Sequence, residues 1–270
     1  MSDQYEASEQ PSTPPESASV KPHLKSEADT WLELAKTLVY ALLIALGIRT
    51  VLVQPFNIPT GSMEATLLVG DYLFVEKFAY GYSRFSIPFG YKLPSFGRIL
   101  PREPTRGDVV VFKWPNDTSI DYIKRLIGLP GDHIQMRDGT LFINDKEVPK
   151  VPVEDYIEQT DAGPNVVKRY KETLPNGVTY MTLDRYDSAA DTTEEFVVPA
   201  GHYFMMGDNR DNSSDSRVDP RDGGVGYVPA ENLVGKAEVR FFSIDNSAVW
   251  YKPWTWPMAV RFRRMFTLID

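Results

Sequence analysis

"DVVVFKWPNDTSIDYIKRLIG", residues 108–128, decides the fold class. The stretch holds two runs rich in β-branched and aromatic residues, 108–114 and 122–128, with Pro115 and polar residues between them. Val, Ile, Phe, Tyr and Trp favour strands, whereas proline and asparagine favour turns. The stretch therefore predicts two short β-strands.

Runs of the same kind recur through the chain after Gly70. Further strands are expected at residues 72–78, 133–136, 141–144, 202–206 and 237–244. Many short strands with closely spaced turn signals indicate an all-β sandwich or barrel. We predict a mainly β protein whose β domain comprises residues 54–149 and 197–270.

The region between these two parts, residues 150–196, is acidic and differs from its surroundings. Within it, Asn176–Gly177 lies between two strand-like runs, and this dipeptide is typical of a type I′ hairpin turn. We predict an inserted β-hairpin subdomain here.

The segment 31–53 contains the apolar run of the chain. With its ends it reaches the ~20 residues that span a bilayer, and Glu33, Lys36 and Arg49 lie near the ends, where long side chains reach the interface. The A-x-A pattern of a cleaved secretory signal does not follow it. We predict an uncleaved transmembrane helix after a polar, disordered tail of residues 1–30; a buried core helix is the alternative.

Lysines at positions 21, 25 and 36 favour a cytoplasmic N-terminus, so that the β domain would face the outer side of the membrane. At the other end of the chain, residues 250–266 combine three of the five tryptophans with arginines. That composition suits a membrane interface, and a segment packed on the protein surface is the alternative.

Composition excludes several kinds of chemistry. The chain has 270 residues, no cysteine, three histidines and a net charge of −8. Thiol catalysis and disulfides are excluded, and the acidic balance argues against a nucleic-acid partner. Because the sequence has neither a GxxxxGK[ST] nor an HExxH motif, no nucleotide, metal or other cofactor is expected. His133 and His202 adjoin strand-like runs, which favours turn-edge positions over a catalytic role.

Ser62, in "IPTGSM" at residues 58–63, is the candidate nucleophile. Gly61 permits unusual dihedral angles, and Pro59 stiffens the chain before it. A turn serine without chemistry is the alternative. In the absence of a thiol and of a plausible histidine, the base for this serine would be a lysine, a carboxylate or a water.

Lys124 is the favoured base. In an extended strand it shares a face with Tyr122 and Leu126, and burial among such apolar groups disfavours the charged amine. A lysine that acts near pH 7–8 needs a pKa roughly 2–3 units below its reference of about 10.4. A solvated edge strand is the alternative explanation for Lys124 and its neighbour Arg125.

A third polar segment, residues 206–217, follows an apolar strand. Its dense polar groups predict a hydrogen-bonding loop that orients the lysine amine and pairs charges, for example Asp215 with Arg217 or with Arg125. The spacing of its acidic residues resembles a calcium loop, but Ser216 stands where that loop requires glycine. A calcium site is therefore disfavoured.

Together these segments resemble bacterial type I signal peptidase, also called leader peptidase. "IPTGSMEATLLVGD" matches its nucleophile motif, "GDVVVFKWP" and "DYIKRLIGLPGD" match the next two, and "GDNRDNSSDSR" matches the last. The match runs from residue 55 to about 148 and from 199 to 244, outside the tail and the acidic insertion.

The resemblance implies a membrane-anchored serine endopeptidase with a Ser–Lys dyad. Such an enzyme removes signal peptides from secretory precursor proteins, after small residues (A-x-A), through an acyl-enzyme intermediate. The resemblance also implies a single-pass protein of the cytoplasmic (inner) membrane, with its catalytic domain on the outer, periplasmic side.

Roles for single residues follow from the same resemblance. Ser62 is the nucleophile and Lys124 the general base, and the backbone N–H of Ser62 and the hydroxyl of Thr60 form the oxyanion hole. Ser213 hydrogen-bonds the lysine amine. The remaining matches are a supporting charge network of Asp215, Arg217 and Arg125, and two apolar residues that border the substrate cleft, Met63 and Leu67.

Two features depart from the family pattern. Ala65 stands where the family commonly has proline, which predicts a less rigid turn, and the loop after Arg217 is longer than usual. Neither feature changes a catalytic position. A membrane-anchored peptide-binding domain without catalysis and a self-cleaving Ser–Lys protease are the alternative functions; the anchor argues against the second.

Overall fold

The computed structural model describes residues 27–160, 163–245, 247–248 and 251–269. Positions 1–26 of the predicted polar tail lie outside the described residues. By its internal contacts the chain divides into two units, Met1–Ile44 and Ala45–Asp270. The predicted division at residues 150 and 196 stays a prediction.

One long helix, α1, runs from Glu27 to Val51 and so begins before the predicted 31–53 and ends sooner. Its segment Thr30–Val51 is long and apolar enough to cross a membrane. The large apolar side chains of this segment are exposed: Leu38 is 60% and Leu43 58% accessible. The alternative of a buried core helix is therefore wrong, and a helix that is apolar without a buried face suits a bilayer.

The rest of the described chain is mainly β, as predicted. The first eight strands are β1 (Val53–Asn57), β2 (Asp71–Glu76), β3 (Val109–Trp114), β4 (Asp117–Gly128), β5 (His133–Arg137), β6 (Thr140–Ile143), β7 (Lys146–Glu147) and β8 (Lys150–Pro152). Then follow β9 (Tyr156–Thr160), β10 (Gly163–Thr173), β11 (Thr179–Asp184), β12 (Phe196–Val197), β13 (His202–Met206), β14 (Val228–Pro229), β15 (Leu233–Ser243), a short helix α2 (Trp256–Ala259) and β16 (Thr267–Leu268). All seven strands expected from the sequence are present, and β1 lies where none is expected.

An eight-stranded antiparallel sheet carries the candidate site. Its strand order is β1-β2-β15-β3-β4-β13-β14, and β16 pairs with β15. Strand β4 thus lies between β3 and β13, with Lys124 opposite Val110 and Arg125 opposite both Val109 and Met206. Because both neighbouring strands pair with β4, the alternative of a solvated edge strand is wrong.

Two smaller sheets lie beside this one in the described chain. One has the order β11-β10-β8, with β9 paired to β10, and the other the order β12-β5-β6-β7. The first is built entirely from residues of the predicted insertion, 150–196, whereas Phe196 at the end of the insertion belongs to β12 in the second.

The β10–β11 hairpin is present, but its predicted turn type is wrong. Gly177 N donates to Leu174 O at 2.8 Å, and Leu174 N donates to Val178 O at 2.8 Å. Gly177 has φ +86°, whereas Asn176 has no positive φ. A type I′ turn needs positive φ at both central residues, and Pro175, at the first of them, is fixed near −65°. The turn is instead a tight turn followed by a left-handed glycine.

Three hydrophobic clusters form the core, and strand alternation divides residues among them. Val109 and Val111 pack in one cluster, whereas Val110 packs in another. Leu126 joins the cluster of Val110, and Ile127 joins the third. The clusters thus cover both faces of β3 and β4. Lys124 lies on β4, and this covering shields its side chain from water.

Candidate active site

Ser62 lies in a single 3-10 turn, Gly61–Met63, that follows β1. Thr60 before the turn is extended, with φ −130° and ψ 153°. Met63 after the serine is fully buried in the core, and Ser62 itself is 7% exposed. Met63 thus anchors the turn in the core, and the neighbouring Ser62 side chain lies at the edge of the core, where it can contact another residue.

That partner is Lys124. Its Nζ lies 2.5 Å from Ser62 Oγ, a hydrogen bond that joins residues far apart in the chain. The lysine is 2% exposed and lies in the interior of the main sheet. The structure therefore brings the two residues of the predicted dyad into direct contact.

Burial lowers the pKa of Lys124 to about 8, against an ordinary 10.5. The carboxylates of Asp215 and Asp208 raise this pKa, and Arg217 lowers it, but burial is the largest cause. An amine with this pKa is neutral in about half of the molecules at pH 8. It can therefore accept a proton under ordinary conditions, which a lysine in water cannot.

The polar loop 206–217 supports the nucleophile turn from below. Asn209 N donates to Ser62 O at 3.1 Å, and Asn209 Nδ2 donates to Gly61 O at 2.9 Å. Gly207 makes this approach possible, because a Cβ there would lie 2.6 Å from Ser62 O. The loop thus holds the backbone on both sides of the Ser62 hydroxyl.

Ser213 packs against the same glycine, because a Cβ on Gly207 would lie 2.2 Å from Ser213 Oγ. The Oγ is buried and has no hydrogen-bond partner among the described residues. The bond to the Lys124 amine that the resemblance implies is therefore not formed in this structure, and the orienting role of Ser213 stays a prediction.

The predicted charge network divides into two separate pairs. Asp215 pairs with Arg217, through two hydrogen bonds of 2.9 Å, and also accepts from Gly207 N at 2.9 Å. Arg125 pairs instead with Asp208, through two bonds of 2.8 Å, and is fully buried. Of the two pairings left open by the sequence, that of Asp215 with Arg217 forms among the described residues.

Both pairs affect the charge of Lys124, because the carboxylates of Asp215 and Asp208 each raise its pKa. The burial of Asp215 opposes its ionisation, but Arg217 and the Gly207 N–H hold its pKa below the ordinary 3.8. Asp215 is thus a fixed negative charge that acts on Lys124. The carboxylates of this loop that would bind calcium have other partners. Asp215 pairs with Arg217, and Asp211 accepts a hydrogen bond from Arg185 N at 2.6 Å, which argues against a calcium site.

An open cleft of about 330 Å³ adjoins Ser62. Its lining is mostly apolar and comes from β1, the segment before the nucleophile and β4: Phe56, Ile58, Thr60, Ile120, Tyr122 and Ile123. Thr60 is exposed at this cleft, on the approach to Ser62.

Met63 and Leu67 are not among the residues that line this cleft, and their place at the border of the substrate cleft stays a prediction. Both side chains are 0% exposed and pack in the hydrophobic cluster beneath β1 and β3. The 3-10 turn points Ser62 and Met63 in different directions, so an apolar residue next to the nucleophile is a core anchor here. No group of three or more His, Cys, Asp or Glu suited to a metal is present in the part of the chain that the structure describes.

Sequence reasoning missed four residues of the site: Asp208, Asn209, Glu64 and Arg185. The first two lie in the polar loop, whose composition signals hydrogen bonding, but their partners are distant in sequence. Arg185 lies in the acidic insertion and forms an ion pair of 3.0 Å with Glu64. Nothing in the local sequence signals that contact.

A β body with a buried serine–lysine contact beside an open cleft has the features of a serine hydrolase. Comparison with known proteins gives the family: the model described as "Signal peptidase, peptidase S26" matches residues 31–242. Because this match spans most of the chain, the protein belongs to the signal peptidase family of serine endopeptidases.

Similar curated proteins agree with the family. "Signal peptidase I" of Rickettsia conorii is 45% identical over 246 residues, which cover 84% of this chain and 89% of that protein. The protein of the same name from Rickettsia canadensis is 43% identical over 265 residues, with 90% and 93% covered. A crystal structure of a signal peptidase I from Enterococcus faecalis is 29% identical and covers 50% of this chain and 97% of its own, at a TM-score of 0.30.

Proposed function

We propose that this protein cleaves signal peptides from exported precursor proteins, after small residues in an A-x-A pattern, with Ser62 and Lys124 as a catalytic dyad. The observation that carries the proposal is the 2.5 Å contact between Ser62 Oγ and a buried lysine amine. The family supports cleavage of signal peptides, and this contact supports the finer assignment of nucleophile and base.

The reaction needs only these two groups and a water. Neutral Lys124 takes the hydroxyl proton of Ser62 as Oγ attacks the scissile carbonyl. The oxyanion is stabilised by the backbone N–H of Ser62 and the hydroxyl of Thr60, which is exposed at the cleft. The C–N bond breaks as the lysine returns the proton to the leaving amine of the mature protein, and the signal peptide stays on Ser62 as an ester.

A water then releases the signal peptide. Lys124, neutral again, takes a proton from the water, which attacks the ester carbonyl. The serine leaves as an alkoxide and regains its proton from the lysine. The pKa of about 8 suits both roles, because much of the amine is neutral near pH 8 and can accept a proton, and the ammonium it becomes is more acidic than an ordinary lysine and donates readily.

The substrate would bind as an extended peptide at the edge of the main sheet. Strand β1 is the terminal strand of that sheet, and residues of β1 line the cleft. Main-chain hydrogen bonds to such an edge provide affinity, and pockets for alternate side chains provide specificity. The apolar lining of this cleft suits the apolar side chains, such as alanine, that precede the cleavage site.

A membrane location brings this cleft to its substrates. The apolar helix α1 would anchor the protein in the cytoplasmic membrane, with the lysines before it on the cytoplasmic side and the β domain on the outer side. Tethering to the same surface raises the effective concentration of precursors. Exposed aromatic residues near the C-terminus would contact lipid; among them Trp254 is 70% and Phe266 77% exposed.

The test is cleavage of a purified precursor in detergent or lipid by wild type, Ser62→Ala and Ser214→Ala. Ser214 is a matched control, since it is an exposed serine of the polar loop 206–217 whose hydroxyl donates to Gly223 O. We expect wild type and the control to cut after A-x-A, and Ser62→Ala to leave the precursor intact. If folded wild type binds precursors without cutting them, the protein is a peptide-binding domain.

A further inference from the structure

We propose that Arg185 is a positioning residue for the nucleophile turn, which gives the acidic insertion a role in catalysis. The residue directly follows β11, the last strand of the insertion sheet. It lies outside the lining of the cleft and makes no contact with Ser62 or Lys124 among the described bonds. The inference rests on the proposed function, because it concerns the serine that performs it.

Arg185 holds three side chains at once. Its Nη2 lies 3.0 Å from Glu64 Oε2, and its Nη1 lies 2.5 Å from Glu158 Oε2. Its Nε donates to Asn209 Oδ1 at 3.2 Å. The side chain is 14% exposed, and those of Glu64 and Glu158 are 16% and 22% exposed. A partly buried guanidinium with a planar fork is suited to bridge fixed acceptors in this way.

Two of these partners hold the backbone around Ser62. Glu64 lies two residues after the serine, and its Oε2 is 3.2 Å from the position of a Cβ on Gly61, so the carboxylate folds back over the turn. Asn209 donates from Nδ2 to Gly61 O at 2.9 Å and to Glu64 Oε2 at 3.3 Å. Arg185 thus reaches both ends of the turn through one intermediate residue each.

The bond to Asn209 also fixes which way its amide faces. An asparagine amide has one oxygen that accepts and one nitrogen that donates. While Arg185 donates to Oδ1, the nitrogen must face Gly61 O, which is the contact that supports the turn. Without Arg185, only the bonds from Nδ2 to Gly61 O and to Glu64 Oε2 would hold this orientation, and Oδ1 would lose the donor that fixes the other side of the amide.

Charge adds to the same effect. Glu64 and Glu158 share the one guanidinium: burial, and then the charge of Glu158, raise the pKa of Glu64, whereas hydrogen bonding to Arg185 lowers the pKa of Glu158. Removal of Arg185 would leave two partly buried carboxylates facing each other, and they would separate or take up a proton. Either change moves Glu64, and with it the turn that carries Ser62.

The experiment compares the full-length variants Arg185→Ala and Lys150→Ala in the precursor-cleavage assay. Lys150 is the matched control: it forms an ion pair of 2.9 Å with Asp184 in the same sheet, at side-chain exposures of 14% and 25%, away from the nucleophile turn. We expect Arg185→Ala to lower kcat by about 10- to 100-fold, as a displaced reacting group does, with KM within about 3-fold of wild type. Lys150→Ala should keep the wild-type kcat.

A readout that separates positioning from folding is the rate at which a serine-directed reagent acylates Ser62, measured per folded molecule. Arg185→Ala should slow acylation in parallel with kcat, Arg185→Lys should restore part of it, and Glu64→Ala combined with Arg185→Ala should be no slower than the slower single variant. Equal kcat and acylation rates in Arg185→Ala and Lys150→Ala would overturn the proposal. A wild type that never cleaves would instead overturn the proposed function.

Discussion

Two lysines of this protein are buried to the same degree, yet their amines meet different partners. Lys124 is 2% and Lys77 1% exposed. Burial is the largest cause that lowers the pKa of each to about 8. The difference lies in what the amine meets: Lys124 contacts Ser62 Oγ, whereas Lys77 donates to the carbonyl oxygen of Ser86 at 2.5 Å.

A lowered pKa does not by itself define a general base. A base also needs a proton to accept within hydrogen-bond reach. The carbonyl beside Lys77 carries no proton, and it stabilises the amine as a donor. Perturbed pKa values are therefore a guide to active sites only in combination with geometry.

The strongest test of this contrast replaces each lysine with methionine, which keeps length and removes charge. Lys124→Met should lower kcat/KM by about 10²- to 10⁴-fold, because the general base is lost. Lys77→Met should stay within about 3-fold of wild type. Precursor cleavage at pH 8.5, where both amines are largely neutral, is the measurement.

Circular dichroism and thermal unfolding provide the control for this pair. A Lys124→Met variant that is folded and still cleaves would show that the base is elsewhere, for example a water. A Lys77→Met variant that is folded but inactive would show that the buried amine alone, without a protonated partner, has a part in the reaction.

The second test concerns Gly207, whose backbone approaches the nucleophile turn beside Lys124 and has no counterpart at Lys77 in the contacts given above. Gly207→Ala would place a methyl group 2.6 Å from Ser62 O and 2.5 Å from Ser213 Cβ. Overpacking of this kind costs about 1–3 kcal/mol, and the displaced serine should lower kcat by up to about 100-fold. Gly131→Ala is the control for a glycine-to-alanine change without steric overlap, because a Cβ at Gly131 has no atom within 4 Å. The φ of +89° at this position adds backbone strain to the control.

If Gly207→Ala keeps wild-type kcat, the turn does not depend on the close approach of the loop. Unfolding in urea distinguishes a loss of stability from a displaced nucleophile, since only the second lowers kcat per folded molecule.

Much of this arrangement follows from sequence. The alternation in 122–128 predicts that Lys124 shares a buried face with its apolar neighbours, and the absence of cysteine excludes a thiol nucleophile. These inferences are local: they depend on the period of a strand and on composition. The mainly β class and the seven expected strands are of this kind, and they are confirmed.

What sequence could not give are contacts between distant segments. The pairing of Arg125 with Asp208, rather than with Asp215, depends on how β4 and β13 are registered. The burial of Met63 depends on the direction in which a single 3-10 turn points. In the hairpin, Pro175 overrides the signal of Asn176–Gly177. In each of these cases tertiary packing or a neighbouring residue decides among options that the local pattern leaves open.

The third test concerns the hydroxyl groups near the reactive amine. Ser213 Oγ is buried without a partner in the described chain, so Ser213→Ala removes no hydrogen bond and should change the free energy of unfolding by less than about 0.5 kcal/mol. If Ser213 orients Lys124 during the reaction, kcat should still fall by about 10-fold, the worth of one hydrogen bond. Unchanged kcat would end the orienting role.

The smallest effect is on stability as a function of pH, and here the two lysines should act alike. The pKa of each is about 8 when folded and 10.5 ordinarily, so between these values the unfolded chain binds more protons. Stability should therefore rise with pH from 8 to 10.5, by at most about 1.4 kcal/mol per pH unit for each lysine, and neither lysine should add a slope below pH 7. Either methionine variant should show a shallower rise of the free energy of unfolding, measured in urea at pH 7.5, 9 and 10.

The rate of precursor cleavage, in contrast, should rise through pH 8 in both wild type and Lys77→Met, because only Lys124 must lose its proton to react. Equal slopes in wild type and Lys77→Met would mean that this amine is not held neutral by burial, and the comparison would then rest on geometry alone.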